Sequence, residues 1–206
     1  MAEFWNSTLT EKSWEILQDM KMKYNFVLLG GWAVYLLTMQ QKSKDIDILI
    51  DMGSLLKFKQ ENRFGKNDRL KKYEIKIDEI DIDIYLEGYS DFIIPSTELR
   101  KFAIKIEGFD VVCAEVLAIL KQSAYEDRIN SIKGEKDKID LISLIFYSGF
   151  NFKKYLEITR KYKLEGYFDL LISLIKNFKD HGYLNMNPRE FKIKKNKILS
   201  EIKRLK

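Results

Sequence analysis

The sequence predicts an α+β chain: an α/β-like N-terminal part built on a small mixed sheet, then an all-helical bundle. Three observations predict it. Between residues 26 and 112, short apolar segments with two-residue alternation are interleaved with helical patterns. From Ala114 onward the periodicity is helical throughout. In that second half Gly134, Gly149, Gly166 and Gly182 punctuate the helical segments. The boundaries that follow are 1–113 and 114–206.

Taken in order, "MAEFWNSTLTEKSWEIL" opens an amphipathic helix of about 9–23, with Thr8 and Glu11 spaced as a capping box. Phe26–Leu29 is a short apolar strand closed by Gly30-Gly31, and a helix over 32–39 follows. Asp45–Asp51 is the next strand, "SLLKFKQEN" a short helix and "FGKNDR" a polar loop. "KYEIKIDEIDIDIYLE" alternates strictly about Asp78-Glu79, and "FAIKIEGFDVVC" about Glu107-Gly108; each reads as a hairpin. The helical half divides into about 114–128, 136–149, 153–162, 167–180 and 189–205.

An apolar share of 46% and a charged share of 33% are those of a soluble globular protein. No apolar run approaches the roughly 20 residues that span a bilayer, and the first residues lack a signal segment, so a cytoplasmic protein with no membrane partner is expected. The single Cys113 excludes an internal disulfide and a Cys-cluster zinc site. His181, the one histidine, gives little support to a Ser-His-Asp triad; near a helix end, it reads as a partner of the helix dipole. The net charge of +5 permits nucleotides or nucleic acid as partners. From Pro188 to Lys206 there are eight Lys or Arg against two Glu, which makes the last helix strongly basic.

Two Asp-x-Asp pairs sit inside predicted strands. Strand side chains alternate, so Asp45 and Asp47 share one face, about 6.5–7 Å apart along the chain, and Asp81 and Asp83 repeat the arrangement. Carboxylates gathered on one face repel, and a divalent cation removes the conflict. Mg²⁺ prefers oxygen ligands and is usually held by one or two carboxylates plus substrate phosphates. Two aspartates with a third on a neighbouring strand can hold two ions for an in-line phosphoryl displacement. A glycine turn before a helix, here Gly30-Gly31, lets backbone N–H groups approach a phosphate.

With these residues in place, "LLGGWAVYLL…KSKDIDILID" resembles the signature of the DNA polymerase β-type nucleotidyltransferase superfamily. In the helical half, "AEVLAILKQSAYEDRINSIKGEKDKIDLISLI" is similar to a segment of AbiEii-type toxin nucleotidyltransferases, through Lys121, Ala124, Arg128, Lys136, Asp137 and Asp140. The likeness covers roughly residues 27–146. Where that family often has Arg, four residues before the first aspartate, this chain has Gln41, with Lys42 beside it. The third carboxylate is open between Asp81 and Asp83, with Asp83 preferred from "DIY" at the strand end.

The resemblance implies a catalytic domain over 1–113 and a C-terminal helical domain over 114–206. Asp45, Asp47 and Asp83 would be catalytic and would bind Mg²⁺, as a two-ion site. Gly30, Gly31, Ser43, Lys44, Lys121, Arg128 and Asp137 would bind a nucleoside triphosphate such as ATP or GTP. From the residues alone, Lys121 and Arg128 lie seven apart on one helix face, and an ion-pair network with Glu126, Asp137 or Asp140 is the structural alternative. Trp32 reads as a core aromatic. The function implied is transfer of a nucleoside monophosphate from an NTP to an acceptor, RNA or tRNA given the basic last helix. The likeness adds a toxin–antitoxin or phage-defence setting with a cognate antitoxin. The alternatives are an aminoglycoside- or lincosamide-type nucleotidyltransferase, or a non-catalytic nucleotide-binding regulator.

Overall fold

The computed structural model describes residues 7–61 and 64–205. Two compact units divide the chain, one ending at Cys113 and the other beginning at Ala114.

In the first unit the order is α1 (Ser7–Lys23), β1 (Val27–Leu28), α2 (Gly30–Thr38), β2 (Ile46–Ile50), α3 (Met52–Glu61), β3 (Gly65–Asn67), β4 (Lys72–Ile77), β5 (Ile80–Leu86), α4 (Ser96–Leu99), β6 (Ala103–Ile106) and β7 (Phe109–Val112). A 3₁₀ turn over Arg100–Phe102 joins α4 to β6. The strands form one seven-stranded sheet in the order β3-β4-β5-β2-β1-β7-β6. It is mixed: β2 runs parallel to β5 and β1 parallel to β7, while the other pairs are antiparallel.

Alternation explains how the sheet buries one face. Ile80, Ile82, Ile84 and Leu86 of β5 are buried, as are Ile46, Ile48 and Ile50 of β2. Ile16 and Met20 of α1 and Phe58 of α3 line one cavity with Ile75, Ile77 and Ile82 on that apolar side. Asp81, Asp83 and Asp47 alternate to the other side, where they are exposed or half-buried. Asp51 starts α3 by accepting a hydrogen bond from the Ser54 N–H at 2.7 Å, the bond an N-cap residue makes. That bond is also the main reason its pKa lies below the ordinary aspartate value.

Both expected hairpins form. In the β4–β5 turn Asp78 adopts φ 53, and in the β6–β7 turn Glu107 and Gly108 adopt φ 49 and 81, the left-handed pair that tight hairpin turns require. Several boundaries in this unit differ from the sequence reading. Thr8 lies inside α1 rather than at its cap. Gly30 and Gly31 are the first residues of α2 rather than a turn ahead of it. The polar "FGKNDR" contains a strand, β3, held by pairing with β4 rather than by its own propensity. Trp32 is fully buried and donates its indole N–H to Ser13 Oγ at 2.8 Å, as a core aromatic with a polar edge does.

The second unit consists of α5 (Ala114–Asp127), α6 (Ile132–Tyr147), α7 (Phe152–Lys161), α8 (Tyr167–Asn177) and α9 (Pro188–Lys203), with a 3₁₀ turn over His181–Leu184. Helix α6 starts four residues before its expected position because Ser131 caps it, accepting from the Gly134 N–H at 3.0 Å. Helix α8 ends at Asn177, so His181 is not at a helix end; its Nδ1 is 2.9 Å from the Met186 carbonyl oxygen. Asn187 and Glu190 form a capping box around Pro188 at the start of α9.

Candidate active site

The site on the first unit starts from Gly30, which adopts φ +59, a left-handed conformation that favours glycine. A methyl group there would overlap the Asp47 carboxylate and stand 2.8 Å from the Asp47 Cβ. The Leu29 N–H donates to the Asp47 carbonyl at 2.8 Å, so strand β2 is pinned against the start of α2. Leu29, at the N-cap of α2, supplies no side-chain cap to the first turn. Gly30 is therefore what allows Asp47 to stand at the amino end of that helix, where the aligned peptide dipoles favour negative charge.

The parallel pairing of β2 with β5 sets Asp47 directly beside Asp83. Both are half-buried on the polar side of the sheet. Asp81 is exposed and pairs with Lys76 at 3.5 Å, away from Asp47. The strand register thus separates two carboxylates that the sequence left as alternatives.

Asp83 has a cationic neighbour that sequence reading missed. Lys72 Nζ lies 2.5 Å from Asp83 Oδ2 and 3.1 Å from Glu74 Oε1. Glu74 is opposite Asp83 in the β4–β5 register, and Asn67 Nδ2 donates to its Oε1 at 3.0 Å. Burial and the nearby Asp47 charge push the Asp83 pKa up to about 6, and Lys72 offsets only part of this. Burial opposes the charge on Lys72, but Asp83 and Glu74 outweigh it and raise its pKa. The sequence carries the placement of both residues, though not the burial of Lys72. A two-residue turn at Asp78-Glu79 fixes Glu74 opposite Asp83, and Lys72 shares the face of Glu74.

Asp45 is half-buried one residue before β2. Ser43 is buried and Lys44 half-buried in the segment leading to it. Among the described residues no three His, Cys, Asp or Glu side chains are gathered as a metal-ion ligand set. Asp45 lies one residue ahead of β2, Lys72 stands at the flank of Asp83, and the strand register sets Asp47 and Asp83 side by side. Two adjacent carboxylates fit the donor set of one Mg²⁺ completed by nucleotide phosphates.

The second unit brings together Lys121, Arg128 and Asp137, and adds Asp140. Lys121 Nζ is 3.3 Å from Asp137 Oδ1 and 2.7 Å from Asp140 Oδ2, while Arg128 Nε donates to Asp137 Oδ2 at 2.6 Å. Asp137 and Asp140 are 1% and 2% exposed, and Lys121 and Arg128 together supply the two positive charges that balance them. Asp140 Oδ2 has that ammonium beside it but no aligned hydrogen bond. Arg128 lies one residue past the end of α5, and its guanidinium reaches the same Asp137 as Lys121 does. Its carbonyl packs against Gly134, where a methyl group would overlap it.

No protein-family model matches the chain, and no curated protein sequence matches it. Solved structures do. A Helicobacter pylori protein provisionally named a nucleotidyltransferase matches over 100% of this chain and 99% of its own, at 17% identity and a TM-score of 0.50. JHP933 from Helicobacter pylori matches over 97% of this chain and 95% of its own, at 18% identity and a TM-score of 0.50. The likeness is one of fold: a mixed sheet with flanking helices, then a helical region, as in nucleotidyltransferase-like proteins.

Proposed function

We propose that this chain is a Mg²⁺-dependent nucleotidyltransferase that moves a nucleoside monophosphate from an NTP to a hydroxyl of RNA. The observation that carries the proposal is the junction of Gly30, Asp47 and Asp83: a glycine without which Asp47 could not stand at the start of α2, and a second carboxylate set beside it by strand register.

Asp47 and Asp83 would hold Mg²⁺, whose charge would offset that of the phosphates. The amino end of α2 would hold a phosphate group of the nucleotide, the use to which helix amino ends are suited. Asp83 would orient the acceptor hydroxyl and accept its proton. The acceptor oxygen would bond to the α-phosphorus as the bond to pyrophosphate breaks. Asp45, Ser43 and Lys44 would extend the same segment toward the triphosphate. Catalysis of this kind is positioning and charge neutralisation, and needs no covalent intermediate on the protein.

For the acceptor, α9 supports RNA. It buries Phe191, Ile198 and Ile202 and exposes Arg189, Lys192, Lys197 and Lys203. Lys195 is engaged with the carbonyls of Lys176 and Phe178, and Lys194 lies over the Tyr147 ring, so these two serve packing. Exposed Lys and Arg along one helix supply sequence-independent affinity for phosphates. A tRNA end is the acceptor we favour. The setting is a cytoplasmic toxin held by a protein antitoxin, as the AbiEii-like motif in α5 and α6 suggests.

The test is transfer from each α-labelled NTP to total RNA with Mg²⁺, beside Asp47→Asn. Label entering RNA with the unaltered chain and lost in the variant is expected. Transfer that persists in Asp47→Asn, or no transfer from any NTP, would overturn the proposal.

A further inference from the structure

We infer that Lys72 is a built-in counter-ion of the carboxylate pair, which holds Asp83 until a divalent cation takes it and is then handed to Glu74. This rests on the reading that Asp47 and Asp83 receive a divalent cation with the nucleotide.

The geometry provides each part. Lys72 is 8% exposed, so its ammonium cannot simply withdraw into water. It contacts Asp83 at 2.5 Å and already touches Glu74 at 3.1 Å. A lysine displaced from Asp83 therefore keeps a partner and is not left as an unpaired buried charge, which would oppose the exchange strongly. Glu74 is fixed as that partner from the other side by Asn67 of β3. Its side chain is 44% exposed against 23% for Asp83, so water can help to hold a complete Lys72–Glu74 pair there. One ammonium carries one charge, whereas Asp47 and Asp83 carry two when ionised. A divalent cation at the pair must displace that ammonium, and one that arrives with nucleotide phosphates has further contacts, at the amino end of α2, to offset the displacement. Lys72 thus makes the site take the cation together with the nucleotide and bind the bare ion poorly. Lys72 is a positioning residue in this scheme, because it acts through Asp83.

The experiment is Mn²⁺ titration of the full chain, with free Mn²⁺ counted by electron paramagnetic resonance and no nucleotide present. Lys72→Met should tighten Mn²⁺ binding by about tenfold or more, the worth of a charge-assisted hydrogen bond to a carboxylate. Glu74→Gln, at a more exposed position that tolerates substitution, should weaken binding, because Lys72 then has nowhere to go. The double variant should match Lys72→Met alone, since a handover partner is irrelevant once the lysine is gone. Simple additivity of the two substitutions would mean that both act only as through-space charges, and would overturn the handover. So would a Lys72→Met affinity equal to or below that of the unaltered chain, with binding still dependent on Asp47 and Asp83; the divalent site would then survive without its latch. If no form, Lys72→Met included, binds Mn²⁺ saturably, the divalent-ion reading fails and the inference with it.

Discussion

Gly30→Ala separates a backbone cost from a site-specific one. An L side chain in the left-handed region costs about 1–2 kcal/mol. Gly88 measures that term within the same unit: its φ is +78, and a methyl there would make only an ordinary 3.8 Å contact with Thr97 Cγ2. Gly88→Ala should therefore lose about 1–2 kcal/mol. At Gly30 the methyl also meets the carboxylate and Cβ of Asp47. The carboxylate could rotate away, but the Cβ, at 2.8 Å, moves only with strand β2, so overpacking adds about 1–3 kcal/mol. Gly30→Ala should then cost about 2–5 kcal/mol. Urea denaturation of both variants gives the difference. Asp47→Gly removes the obstructing atoms, so Gly30→Ala made on that background should fall back to the Gly88→Ala value, a coupling read from the double-mutant cycle. Equal losses for Gly30→Ala and Gly88→Ala, or no coupling to Asp47, would refute the claim that Gly30 is there to admit Asp47.

Stability against pH should carry the mark of Asp83. Its folded-state pKa, about 6, lies above the ordinary 3.8, so the folded chain holds more protons between these values and loses stability as pH rises through them. Asp83→Asn, compared with the unaltered chain by urea titration at pH 4 and pH 7.5, should gain up to about 3 kcal/mol in relative stability over that rise, and a flat difference would count against the burial and Asp47 repulsion assigned to it. In the helical unit, Lys121→Met strands Asp140 and leaves Asp137 with Arg128 alone, and should cost about 3–5 kcal/mol, whereas Arg128→Ala, at a side chain 42% exposed, should cost no more than about 1 kcal/mol. Equal losses in urea would show that Lys121 is not the ion holding the two carboxylates. Gly134→Ala should destabilise by about 2 kcal/mol or more because its obstacle is the Arg128 backbone, and a neutral result in the same assay would mean that the turn can shift freely.

The parts of this molecule legible in the sequence are those set by short-range rules. Two-residue alternation placed Asp81 and Asp83 on one face, and the two tight turns fixed both hairpins. Spacings of three and four residues put Asp137 and Asp140 on one side of α6, within reach of Lys121. The choice between Asp81 and Asp83 as the neighbour of Asp47 depends on a parallel register between strands separated by α3, β3 and β4. No local pattern encodes that, although the motif likeness pointed the same way. The segment of strand β3 reads as a loop because Gly65, Lys66 and Asn67 have little strand propensity; pairing with β4 makes it a strand. Lys72 was overlooked for a different reason. A lysine in an alternating hairpin reads as a solvated side chain, and only the burial of its ammonium against Asp83 gives it another meaning.

Several unfavourable features converge on one point of the sheet. Gly30 gives up a side chain and takes a left-handed φ to admit Asp47. Asp83 is set against Asp47 and has its ionisation made harder. Lys72 is buried to an extent unusual for lysine, to soften that conflict. Each could be removed by one substitution: asparagine at either aspartate ends the repulsion, and an apolar residue in place of Lys72 needs no partner. A sheet shaped by stability alone has no reason to keep them together. Local departures from stability rules that cluster at one place, each explained by the next, are what a site selected for binding or chemistry leaves in a fold. The cluster of Lys121, Arg128, Asp137 and Asp140 differs in kind, because two cations balance its two carboxylates and that internal neutralisation suffices to explain it. Of the two charged clusters, the carboxylate pair on the sheet is therefore the one to which the proposed function assigns the cation.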